Sequence, residues 1–192
     1  MKFLPTALPG AFVVEPERNS DERGFFARTW CRREFAQHGI DVEIMQSSIS
    51  HSRLAGTLRG MHFSWPPSNE GKLVRCERGA VYDVIIDLRP DSATFMKHLA
   101  VELTDENRCA LYIPPGFAHG FQTLADDTEV LYMMTDFYRP DLADGVRFDD
   151  PAFGIRWPRP VIVIVERDRN FPDFDREAHA RRFRAPVGAL AG

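Results

Sequence analysis

Apolar and polar residues alternate along most of this chain in short runs bounded by turn residues, the period-two pattern of strands that bury one face. The pattern predicts strands at Ala11–Glu15, Phe25–Thr29, Met45–Ser52, Thr57–Phe63, Lys72–Cys76, Ala80–Asp87, His98–Leu103, Arg108–Ile113, Gly120–Leu124 and Glu129–Asp136. Val81-Tyr82-Asp83-Val84-Ile85-Ile86-Asp87-Leu88 carries the clearest signal, rich in β-branched residues and preceded by Gly79. Pro66-Pro67, Glu77-Arg78-Gly79, Arg89-Pro90-Asp91 and Pro114-Pro115-Gly116 supply turns between the runs. Two segments read as helices: Cys31–His38, ended by Gly39, and Pro172–Arg184, dense in arginine and glutamate. Many short strands with little helix predict an antiparallel sandwich or barrel. One domain over residues 1–175 is expected, followed by a helical or flexible tail over 176–192.

Composition narrows the class. With 192 residues, 44% hydrophobic and 27% charged, the chain can bury one substantial core. A net charge of −4 does not support a basic nucleic-acid surface. No apolar run approaches the roughly 20 residues that span a bilayer, and the N-terminus lacks the apolar core of a secretion signal. Cys31, Cys76 and Cys109 are odd in number and widely spaced, which points to reduced thiols in a cytoplasmic protein.

Chemistry concentrates in Gly56-Thr57-Leu58-Arg59-Gly60-Met61-His62 and in Gly71-Lys72-Leu73-Val74-Arg75. Strict alternation would place Leu58, Gly60 and His62 on one strand face and Arg59 and Met61 on the other. An imidazole, an ammonium and a guanidinium on neighbouring strands suit proton abstraction beside a carbonyl of an anionic substrate. Phe121 and Phe137 read as core residues.

Further motifs fall in order along the chain: Asp21-Glu22-Arg23-Gly24-Phe25-Phe26, Gln46-Ser47-Ser48-Ile49-Ser50, Asp83 to Arg89, Pro114 to Phe121, Tyr132 and Asp149-Asp150-Pro151. Together with the two above they resemble the dTDP-4-dehydrorhamnose 3,5-epimerase family over residues 2 to 175. The resemblance implies a cupin-type jelly-roll β-sandwich with short flanking helices, a homodimer, and no metal or other cofactor. The sequence speaks independently to the metal. Pro114 to His119 resembles the second half of the metal-cupin signature, but the His-x-His pair of the first half occurs nowhere in the chain.

Carried over residue by residue, the resemblance implies His62 as general base, Asp168 as the carboxylate that orients it, Lys72 beside the substrate's C4 carbonyl oxygen, and Tyr132 as the acid on the opposite face. It implies Arg23 and Arg59 on the diphosphate, Phe26, Gln46 and Ser48 near the base, and His119 lining the site. The implied reaction is epimerisation of a nucleotide-linked 4-keto-6-deoxy sugar at C3 and C5. The chain departs from the family where Ser48 replaces an asparagine, Ser64 and Glu70 replace glutamines, Arg28 replaces an acid, and Ala143 stands beside Asp144 where an acid is usual. These positions bear on nucleotide and sugar contacts, so two alternatives follow: C3-only epimerisation of another nucleotide sugar, and a cupin that binds a sugar nucleotide without turning it over.

Overall fold

The computed structural model describes residues 1–185. Thirteen strands form, in chain order, β1 (Lys2–Pro5), β2 (Phe12–Glu15), β3 (Arg18–Asp21), β4 (Gly24–Ala27), β5 (Gln46–Ser52), β6 (Leu58–Ser64), β7 (Lys72–Arg78), β8 (Ala80–Asp87), β9 (His98–Thr104), β10 (Ala110–Ile113), β11 (Phe117–Thr123), β12 (Thr128–Met134) and β13 (Ala143–Gly145). Three helices accompany them: α1 (Arg32–Gln37), α2 (Glu166–Arg169) and α3 (Arg176–Arg184). A six-stranded sheet in the order β1-β2-β10-β7-β12-β5 faces a five-stranded sheet in the order β13-β6-β11-β8-β9, and β3 pairs with β4 as a separate hairpin. This two-sheet antiparallel architecture is the jelly-roll sandwich that the resemblance implied.

The alternation in β8 shows why the sandwich closes. Val81 and Ile85 point inward to meet Leu103, Phe117 and Phe121 of their own sheet and Val74, Cys76, Leu111, Ile113 and Val130 of the facing sheet. Val84 and Ile86 point outward, but that face is buried too, under Val146, Phe153, Trp157 and Phe174 of the C-terminal third. A sheet covered on both sides explains the near-continuous apolar run in this strand. α1 packs Phe35 onto the outer face of the larger sheet, against Val14, Leu73 and Tyr112. α3, expected from Pro172, starts at Arg176, with Asp175 capping it by accepting from the Glu177 and Ala178 N–H groups. Its His179 is buried and donates through Nε2 to the Leu88 carbonyl at 2.8 Å. Residues 186–192 of the expected tail lie outside the described residues.

Three elements differ from expectation. β1 forms although it ends in Pro5, because it is an edge strand and a missing N–H costs no ladder bond there. β3 and β4 form a hairpin whose residues stand almost wholly exposed. Phe121 is buried at 1% exposure, but Phe137 is 59% exposed: it lies beyond the end of β12 and has no sheet face to pack on.

The fully buried Asp87 at the end of β8 is held by Arg89 through two contacts at 2.9 Å and by the hydroxyls of Ser92 and Thr94 at 2.5 and 2.7 Å. Burial alone would raise its carboxyl; the Arg89, Ser92 and Thr94 bonds outweigh it and leave the group below its ordinary value. A depressed folded-state pKa adds stability above the unfolded value, and that contribution is lost as pH falls through the folded one. The chain should therefore lose thermal stability progressively below about pH 4. Asp87→Asn should flatten that acid limb in melting experiments and lower stability at neutral pH.

Candidate active site

The β6–β11 ladder sets the site. His119 lies opposite His62, and Phe121 lies opposite Arg59, so two steps along β11 match three along β6. The extra residue is a β-bulge. It corrects the strict alternation: Arg59 and His62 share the inner face, while Met61 turns outward into the second core cluster. Arg59 then reaches across to β5, donating to Ser52 Oγ at 3.1 Å and to the His51 carbonyl at 2.8 Å. Gly60 makes the bulge feasible. Its φ is +111°, and a Cβ there would sit 2.7 Å from both Gly120 Cα and the His119 carbonyl oxygen.

A cavity of about 430 Å³ opens between the two sheets. His62 and Ser64 of β6 face it from the smaller sheet; Lys72 of β7, Tyr132 of β12 and Ser48 of β5 face it from the larger one. Asp168 is buried behind His62, with Oδ1 2.8 Å from Nε2 and Oδ2 accepting the Gly60 N–H at 3.0 Å. Burial pushes the Asp168 carboxyl up, but His62, the Gly60 N–H and Arg167 more than offset this and hold it below the usual range. An ionised carboxylate only accepts, so Nε2 carries its hydrogen toward Asp168 and Nδ1 keeps the ring's lone pair. The Arg167 guanidinium donates to Asp168 Oδ1 at 3.2 Å, with its NH2 2.9 Å from His62 Nε2.

Tyr132 is held neutral. Burial and the charge of Asp83 push its phenol well above the ordinary value, and Arg59 opposes them only in part. Its ring meets His119 at 5.9 Å in an edge-on arrangement. His119 does not line the cavity. It is buried behind Tyr132, with Nε2 at 2.9 and 3.1 Å from the two oxygens of Asp83. Lys72 pairs with Glu70, Nζ to Oε1 at 3.1 Å.

The structure thus brings together His62, Asp168, Lys72, Tyr132 and Ser48. It leaves five expected binding residues outside the cavity lining, His119 and four others. Gln46 stands behind Tyr138 and accepts its backbone N–H at 2.6 Å. Arg59 is engaged by β5. Arg23 and Phe26 sit on the exposed β3–β4 hairpin, where Phe26 is 77% exposed and Arg23 pairs with Asp21 of its own hairpin. Sequence reasoning passed over Tyr138, Phe171 and Arg167, which line the cavity. Of these only Arg167 carried a signal, as the residue directly before Asp168. Among the described residues, no three or more histidine, cysteine or acidic side chains are grouped as a metal site would require.

A cavity with an oriented imidazole on one wall and a phenol and an ammonium on the other suits stereochemical inversion beside a ketone. Known proteins agree. The profile of the dTDP-4-dehydrorhamnose 3,5-epimerase family matches residues 5–176. The chain is 43% identical over 173 residues to the dTDP-4-dehydrorhamnose 3,5-epimerase of Methanothermobacter thermautotrophicus, covering 88% of this chain and 92% of the relative. It superposes on the crystal structure of the Bacillus anthracis enzyme of that name, with TDP and PPi bound, at a TM-score of 0.87 and 36% identity, covering 90% of this chain and 99% of that one. It also superposes on ChmJ, a 3'-monoepimerase from Streptomyces bikiniensis in complex with dTDP-quinovose, at a TM-score of 0.82 and 33% identity, covering 93% and 89% of the two chains. The two-sheet fold that carries this cavity is thus shared with these relatives, and the chain is a member of the dTDP-4-dehydrorhamnose 3,5-epimerase family.

Proposed function

We propose that this protein epimerises a nucleotide-linked 4-keto-6-deoxy sugar at C3 and C5. The observation that carries the reading is the placement of His62, backed by Asp168, on one sheet and of Tyr132 on the facing sheet, with Lys72 between the same walls. The C4 ketone acidifies the protons on C3 and C5. His62 Nδ1 takes one of them and becomes an imidazolium, which Asp168 stabilises. The electrons of the C–H bond move into an enolate whose charge develops on the C4 oxygen beside the Lys72 ammonium. Tyr132 delivers a proton to the opposite face of the carbon, the ketone re-forms, and exchange with solvent restores both side chains.

Proton NMR with dTDP-4-keto-6-deoxyglucose in heavy water tests the reading. Loss of both the C3 and C5 signals supports it. Loss of C3 alone assigns C3-only epimerisation, which the similarity to a 3'-monoepimerase and the changed residues Ser48, Ser64 and Glu70 favour as the second reading. No exchange with dTDP-, GDP-, CDP- or UDP-linked keto sugars would leave a non-catalytic binder. Tyr132→Phe should separate the two proton transfers: epimer formation should fall by about 10²–10⁴-fold, while deuterium still enters with retention from the His62 side.

The working unit we propose is a homodimer. Arg23 and Phe26 lie outside the cavity of their own chain on an exposed hairpin, and a partner's cavity gives them a substrate to contact. Residues 1–175 form the catalytic unit in this reading. A cytoplasmic location is supported by the free thiols Cys31, Cys76 and Cys109. Among the described residues, no helix is long and apolar enough to cross a membrane.

A further inference from the structure

Glu70 is a carboxylate placed against the ammonium that the proposed mechanism uses. Its side chain is 12% exposed and that of Lys72 14%, so water does little to weaken their 3.1 Å contact. The loop that carries Glu70 is fastened to the end of β12. Asp136 accepts from Ser68 Oγ at 3.0 Å and from the Asn69 N–H at 3.1 Å, and the Thr135 hydroxyl donates to the Asn69 carbonyl and accepts from the Gly71 N–H. Glu70 is thus presented to the cavity by a fixed backbone, with Ser64 Oγ 3.5 Å from the same oxygen Oε1.

An enolate-stabilising ammonium gains nothing directly from a neighbouring anion, which diminishes the positive field at the developing oxyanion. The arrangement makes sense if the anion does something else. Lysine has a four-carbon stem and three rotatable donors, so its position is set by what it binds. One donor on Glu70 fixes Nζ and leaves two for the cavity.

We infer that Glu70 is a positioning residue for Lys72: it sets the ammonium's location and does not read the substrate. The inference rests on the epimerase reading above. The other titratable or charged groups facing the cavity are His62 of β6, Tyr132 of β12, Tyr138 after it, Asp144 of β13 and Arg167 of α2.

Two variants and one spectroscopic signal test this. Glu70→Gln restores the residue usual in the family and keeps a neutral acceptor, so it should fold; Glu70→Ala removes the acceptor. Glu70→Ala should lower kcat by about tenfold or more at pH 7, as expected for a displaced catalytic group, with KM nearly unchanged. Glu70→Gln should recover most of that rate. The chain has only three lysines, Lys2, Lys72 and Lys97. The Lys72 carbon-13 signal of lysine-labelled protein, assigned by its loss in Lys72→Met, should move at pH 7 in Glu70→Ala and return toward its parental position in Glu70→Gln. An unmoved Lys72 signal in Glu70→Ala, or a loss confined to KM, would overturn the inference. Absence of deuterium exchange in the unaltered protein would instead overturn the epimerase reading, and the Lys72 signal would still report whether Glu70 positions the amine.

Discussion

Replacing His62 with glutamine should remove solvent deuterium exchange at the sugar's C3 and C5 and lower kcat/KM by about 10²–10⁴-fold, the usual contribution of a positioned general base. Glutamine is chosen because its amide nitrogen reaches the position of the imidazole Nε2 and can still donate to Asp168. That matters for folding. Asp168 is 2% exposed, and a variant that removed the donor at Nε2 would leave it only Arg167 and the Gly60 N–H, combining lost chemistry with the cost of a buried charge short of one partner. With the donor kept, the melting temperature should stay close to that of the parent while exchange vanishes. Proton NMR in heavy water reads the first quantity and differential scanning calorimetry the second. Exchange at the parental rate in His62→Gln would remove His62 from the mechanism, and with it the role of Asp168.

The second large effect is structural. Gly60→Ala should destabilise the protein by about 4 kcal/mol, combining a left-handed backbone conformation that alanine resists with overpacking against rigid backbone. The contact atoms are Gly120 Cα and the His119 carbonyl oxygen, each 2.7 Å from the added carbon, and neither belongs to a side chain that can rotate away. At roughly 2–4 °C per kcal/mol for a chain of this size, the melting temperature should fall by about 8–16 °C. Activity should fall further than stability explains, because the Gly60 N–H is one of the bonds that orient Asp168 behind His62. A Gly60→Ala variant that melts within a degree of the parent would show that β6 accommodates a side chain at the bulge.

What could be read before the structure was what local pattern determines. β8 was legible because its β-branched run is buried on both faces. His62, Lys72, Tyr132 and Asp168 were legible because they sit in ordered motifs, and the fold brings all four to one place. The illegible features are those where the backbone breaks its own period or where distant segments meet. A period-two reading assumes no bulge, so it sent Arg59 to the wrong face of β6. α2 is four charged residues long and buries only Asp168, too short for a helical period to show. Phe26 and Phe137 are apolar yet exposed, and apolarity alone cannot distinguish a core residue from one left at the surface. The Glu70–Lys72 pair was visible as two letters two positions apart, but which way the loop turned them was not.

His62 and Asp168 are 106 positions apart in sequence, and the carboxylate arrives on a helix of the last quarter of the chain. During synthesis, every residue of the sandwich is made before Asp168. The same C-terminal stretch brings Phe174 onto the outer face of β8, so a chain interrupted before residue 168 would lose the carboxylate that orients its base together with part of the cover of its smaller sheet.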